Sequence, residues 1–149
     1  MSRLPFALIL SVFAAAAFSA DAPKPEKVIQ YRQSIYHVML WNWGPMSEMV
    51  KGKRPFDAAD FKLRAERLAY MTRMLDDGFP EGSDKGASTD AKPEIWQNMK
   101  DFQAKLADLQ RETQVLADTA AGGDEAKIKD QFAKAGGTCK ACHDKYRAD

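Results

Sequence analysis

The chain has 149 residues, enough for one domain. Lys and Arg number 22 against 21 Asp and Glu, a formal net charge of +1, and the chain has only two cysteines and two histidines. This balance argues against a nucleic-acid partner and against a charged tail, and there is no low-complexity tract or internal repeat.

The first segment, "MSRLPFALILSVFAAAAFSADAPKPEK", carries a cation at Arg3, an apolar run from Leu4 to Phe18, then small residues and a turn to polar ones. That is the form of a secretory signal peptide over residues 1–20, cut near Ser19 or Ala20. The run is too short to cross a bilayer, so no stable membrane insertion is expected. Residues 21–149 then form the mature domain, with acidic and basic side chains in balance once Arg3 is removed. Export places the chain in an oxidising compartment, the periplasm of a bacterium, where two free thiols pair or are put to use.

Four segments of the mature chain repeat with helical spacing. The first runs from Lys24 to Val50, with Val28, Ile35, Val38, Met39, Met46 and Val50 as its apolar positions and Leu40, Trp41 and Trp43 as a second apolar face. Gly44 and Pro45 lie inside it and predict a kink. The second starts after Asp57, a plausible N-cap, and runs to Asp77 on a stripe of Phe61, Leu68, Thr72 and Leu75. "DDGFPEGSDKGASTDAKP" reads as a long loop.

The third helix is expected from Pro93, well suited to a first turn, with Ile95, Met99, Phe102, Leu106, Leu109, Thr113 and Leu116 on one face. Gly122 and Gly123 break it. The fourth starts at Asp124 and carries Ile128, Phe132, Ala135, Cys139, Cys142 and Tyr146 in the same rhythm, through a weakening Gly136–Gly137 pair. No stretch reads as a strand. The fold class is therefore all-α, an antiparallel up-down-up-down four-helix bundle.

Both cysteines fall in the last fourteen residues, "GGTCKACHDKYRAD". On a helix, Cys139, Cys142 and His143 share one face. Cys-x-x-Cys-His is the attachment signature of c-type haem: two thiols add to the porphyrin vinyl groups and the imidazole stands beside the ring to bind iron. Moving either thiol by one residue swings it about 100° around the helix axis, so the spacing matters. A thioredoxin-like dithiol needs a strand–helix context and a helix start, whereas Cys139 comes far into a helical pattern. A zinc site needs four ligands, and only a distant His37 is left to complete one.

A haem motif at the C-terminal end of four helices resembles the cytochrome c′ family, the class II c-type cytochromes. "KPEKVIQYRQS" is similar to that family's opening helix, "FDAADFKLRAERLAYM" to its second, "AKPEIWQNMKDFQAKLADLQ" to its third and "CKACHDKYR" to its close. The resemblance implies one haem c bound covalently through Cys139 and Cys142, with His143 as the axial iron ligand. It implies that Arg147 stands beside that histidine, that Arg32 and Gln33 lie near the haem propionates, and that Tyr36 faces the iron from the opposite side.

In most of the family a nonpolar or aromatic group at that last position leaves the iron five-coordinate and high-spin. In low-spin relatives a methionine supplies a sixth ligand. Tyr36 is a poor ligand as a neutral phenol, so the expected chain is a periplasmic c-type cytochrome that transfers one electron and binds small diatomic gases such as NO or CO in a crowded pocket. The alternative is a six-coordinate electron carrier with a methionine such as Met39 on the iron. His37, about 100° from Tyr36 around the helix, is expected outside the pocket. A haem peroxidase, which wants a distal acid–base histidine, and a thiol oxidoreductase are the enzyme readings; the chain is expected not to be an enzyme. Its partners are the gases and an unidentified redox protein. The apolar second face of the first helix and the family resemblance imply a homodimer.

Overall fold

The structure is a computed structural model that describes residues 23–148, so the expected signal segment and its cleavage point lie outside the described residues. The elements are α1 (Pro25–Val50), α2 (Ala58–Met74) closed by a 3-10 turn (Leu75–Gly78), the single turn α3 (Glu94–Gln97), α4 (Met99–Ala121) and α5 (Glu125–Tyr146). The four long helices form the expected antiparallel bundle. Among the described residues the only extended pairing is an isolated bridge between Ala91 and Arg147.

The helix starts follow from local chemistry. Pro25 occupies the first turn of α1, where its missing N–H costs nothing. The Asp57 carboxylate accepts hydrogen bonds from the Ala59 and Asp60 amides, each at 3.0 Å, and Asp124 does the same for Lys127 at 3.2 Å. The expected third helix is in fact two. Asn98 takes a non-helical backbone, and its side-chain Nδ2 donates to the Glu94 carbonyl at 3.0 Å, so α3 stops and α4 begins at Met99.

The expected stripes are buried or, at Val50, Met99, Cys139 and Cys142, half-buried, with one exposed exception. Phe61, Leu68, Leu106, Leu109, Leu116, Ile128, Phe132 and Ala135 share one core with Ile35, Met39, Met46 and Met49. Val38 instead stands 46% exposed, because Ile35, Met39, Asn42 and Met46 already occupy the inward face of α1. Thr72 and Thr113 earn their places in apolar stripes by bonding to each other across α2 and α4, 3.1 Å between hydroxyls. That pairing satisfies two groups that burial would otherwise penalise.

Pro45 does not end α1, which continues to Val50. A proline leaves the carbonyl four residues earlier without its helical donor. That carbonyl belongs to Trp41, and Arg64 of α2 donates to it at 3.3 Å while its Nε is held by both oxygens of Asp60 at 2.9 Å. A second helix therefore supplies the bond that the expected kink site lacks.

Backbone packing joins α1 to α2, α2 to α4 and α4 to α5, and the α1–α5 seam is the sparse one. It is closed toward one end by Trp43 stacked on Phe132, ring centroids 3.9 Å apart. Gly136 lies beneath that indole, where a Cβ would meet it at 3.4 Å. Toward the other end a second cluster of Phe79, Ile95, Phe102 and Tyr146 forms under the 79–92 loop.

Candidate functional site

The open stretch of the α1–α5 seam is a slot. It comprises two cavities of about 390 and 520 Å³ that share Tyr36, Leu40, Phe102, Cys142 and His143 as walls. Each falls in the size range of small-molecule and cofactor sites, roughly 300–1,000 Å³. Cys139 lines the larger cavity, Arg32, Gln33 and Arg147 the smaller. The structure thus brings every sequence-expected site residue to one place.

The α5 wall carries the motif. The helix runs unbroken through Gly136 and Gly137, so Cys139, Cys142 and His143 stay in helical register. Both thiols are free and half-buried. Burial pushes both up in pKa; the neighbouring thiol adds to this at Cys139, while Lys105 opposes it at Cys142. His143 is exposed toward the slot edge, and burial, then the Arg147 cation, lower its pKa and favour the neutral imidazole that binds metals.

The α1 wall is more deeply set. Tyr36 packs against both hydrophobic clusters. Burial, reinforced by the nearby Cys142, raises its phenol well above the usual value, so it stays neutral. Arg32 is only 1% exposed. Its guanidinium donates to the Gly78 carbonyl at 3.3 Å, the Ser83 hydroxyl at 3.1 Å and the Thr89 hydroxyl at 3.0 Å, and lies 5.1 and 5.5 Å from the Phe79 and Trp96 ring centroids. Every one of those partners is neutral, and burial lowers the pKa of this cation. Gln33 donates to the Ser88 carbonyl at 2.9 Å. Arg147 is exposed, 3.8 Å from Asp90.

Known proteins match this arrangement. A family model described as Cytochrome C' covers residues 27–147. A cytochrome c′ of Alcaligenes xylosoxydans xylosoxydans is 38% identical over 124 residues, 83% of this chain and 95% of that protein. The chain belongs to the cytochrome c′ family. Cytochrome c prime from Shewanella frigidimarina superposes with a TM-score of 0.82 at 40% identity, over 87% of this chain and 100% of that one. A nitric oxide complex of a single-site variant of cytochrome c prime from Alcaligenes xylosoxidans superposes with a TM-score of 0.79 at 36% identity, over 87% of this chain and 99% of that one.

Cytochrome c′ proteins bind haem c, and the residues here fit that group. Two thiols and an imidazole line an apolar slot, and a buried cation with no carboxylate partner faces the same space. Asp84 acts on this cation only from beyond salt-bridge distance; burying a charge costs several kcal/mol in effective terms, and an anionic substituent at the slot would offset it.

The lining of the cytochrome c′ slot also holds residues outside that expected set. His37, expected outside, is exposed at the rim of the smaller cavity. Met39 is buried in the core and also lines the larger cavity, beside Tyr36. Phe79, Thr89, Asp90 and Ala91 enter the wall from the long loop, where no periodicity marks them; the only hint is the apolar Phe79 within a polar run.

Proposed function

We propose that this member of the cytochrome c′ family is a periplasmic haem c protein that transfers single electrons and binds small diatomic gases. The observation that carries the reading is the convergence of Cys139, Cys142 and His143 with Tyr36 across one slot. Cys139 and Cys142 hold one haem c as thioethers and His143 is its axial iron ligand; when bound, the group supplies a redox-active metal with a gas-binding face. Arg32 and Gln33 receive the propionates, and Arg147 stands beside His143 and keeps the ring neutral.

Tyr36 shapes the opposite face. Its neutral phenol is a poor ligand, so iron held there would lack a protein ligand on that side, as in a five-coordinate high-spin haem, and a gas would gain access by displacing the ring. The nitric oxide complex of the Alcaligenes relative is consistent with this use. Low-pKa thiolates, which a dithiol oxidoreductase needs, are opposed by the burial that raises both thiols. His37 is exposed where it lines the smaller cavity, whereas Tyr36 is the residue packed into the slot wall, and the chain is read as a carrier and binder and not as an enzyme.

No described helix is long and apolar enough to cross a membrane. Removal of residues 1–20 on export completes the picture, and N-terminal sequencing of the periplasmic fraction checks it. Leu40 and Trp41 are 64% and 76% exposed and Leu63 of α2 is 44% exposed, which supports a homodimer through α1 and α2. Sedimentation at micromolar concentration tests that.

The deciding experiment is intact mass and a visible spectrum of the exported protein. The mass of polypeptide plus one haem and a high-spin spectrum are expected. A mass equal to the bare chain sinks the reading, and a sharp low-spin spectrum replaces it with a methionine-ligated carrier, Met39 being the first candidate.

A further inference from the structure

His143 sits in the last turn of the last helix, where chain ends normally fray. Beyond the ladder of α5 itself, the Arg147 amide closes onto the His143 carbonyl at 3.1 Å. A metal-binding histidine is usually aimed by a hydrogen bond to its other ring nitrogen. Among the described residues the His143 ring has none; burial and the charges of Arg147 and Asp144 are all that act on it. Its aim must therefore come from how firmly the helix end is held.

Two ties hold that end. One is backbone: the Lys92 amide donates to the Tyr146 carbonyl at 3.0 Å and the Ala148 amide to the Asp90 carbonyl at 2.8 Å. The other is a single carboxylate oxygen. Asp101, in the first turn of α4, accepts from the Tyr146 hydroxyl at 2.6 Å and from the Lys145 ammonium at 2.9 Å, both on Oδ2. Tyr146 lies one helical turn beyond His143 on the face that lines the slot, its ring edge-on to Phe102 at 5.4 Å. Asp101 is thus joined through one short bond to the turn that carries the ligand, and the α4 helix dipole favours a negative charge at that first-turn position.

We infer that Asp101 is a positioning residue for His143: through Tyr146 it fixes the tilt of the terminal turn, and so the direction from which the imidazole meets iron. The inference rests on the haem reading above. Tyr146→Phe removes only the hydroxyl and keeps the ring packing, while Asp101→Ala removes the acceptor at an exposed position, so both variants fold.

The test uses the ferrous holoprotein. Resonance Raman reads the iron–histidine stretch, and hydrogen exchange reads the amides of residues 144–148. In both variants the stretch is expected to shift and broaden, and the amides to exchange about tenfold faster, as a loss of roughly 1.4 kcal/mol of local stability gives. The double variant should go no further than Asp101→Ala alone, which already loses the Lys145 contact as well. Asp101→Asn, which still offers an acceptor oxygen to the phenol, should restore the band. An unchanged stretch alongside faster exchange would mean a merely structural clamp and would overturn the inference while leaving the haem reading intact. A native spectrum in His143→Ala would overturn both, since His143 would then not be the ligand.

Discussion

The two walls of the slot are built in opposite ways. The α5 wall is shallow: its histidine is exposed and its thiols half-buried. The α1 wall is deep, with Arg32 almost fully enclosed and Tyr36 wedged between two apolar clusters. On the proposed haem reading, covalent bonds and a metal ligand would need placement but little burial, which suits groups that α5 holds in the open. The facing wall has no bond to make and must act through shape and charge, which requires tight packing. The difference teaches that the tether and the selectivity of this site are separable, and each can be broken alone.

The largest effect is expected on the tether. Cys139→Ala together with Cys142→Ala should abolish covalent haem, read as loss of the mass increment and of haem staining on denaturing gels, while the helical far-ultraviolet signal persists. Selectivity comes next. Tyr36→Ala should speed carbon monoxide association by about tenfold or more, the equivalent of 1.4 kcal/mol of removed steric cost, whereas Tyr36→Phe, which keeps the ring, should barely change it. Equal rates in all three proteins would take Tyr36 out of the gas path and flatten the contrast between the walls.

Stability effects are smaller. Arg32→Leu removes the donors to the Gly78 carbonyl and to the Ser83 and Thr89 hydroxyls, which keep their bonds with Pro80 and Ala91, and should cost about 1–3 kcal/mol in urea unfolding. Arg64→Ala leaves the exposed Trp41 carbonyl to water and should cost about 0.5–1 kcal/mol, less so in a Pro45→Ala background where the helical N–H returns. The smallest effect is one of pH. Burial raises the Tyr36 pKa above its ordinary 10.0, so the folded chain retains a proton that the unfolded chain releases. Stability conferred by Tyr36 is therefore complete below pH 10 and should fall as pH climbs above it, a slope that Tyr36→Phe removes.

The same contrast governs what could be read beforehand. Cys139, Cys142 and His143 are legible because their spacing is fixed by a rigid macrocycle, and Phe61, Leu68, Ile128 and Phe132 because helical period fixes burial. The Arg32 cage is not legible, since Gly78, Ser83 and Thr89 arrive from a loop 46 to 57 residues away with no pattern to announce them. Asn98 splits the third helix through a side-chain bond that periodicity ignores, and Arg64 rescues a proline whose effect, taken locally, is a kink. Val38 shows the limit of hydropathy itself: an apolar residue fits the composition of a stripe while its angle turns it outward.

The Trp43–Phe132 stack has a consequence for biogenesis. It seals the seam between the first helix to leave the ribosome and the last, so the slot exists only after the complete polypeptide has collapsed. If haem is attached at Cys139 and Cys142 as proposed, the ligation machinery would meet its substrate most easily before closure. Maturation should run in that order: attachment on a loose chain, followed by folding of the bundle around the porphyrin it already carries.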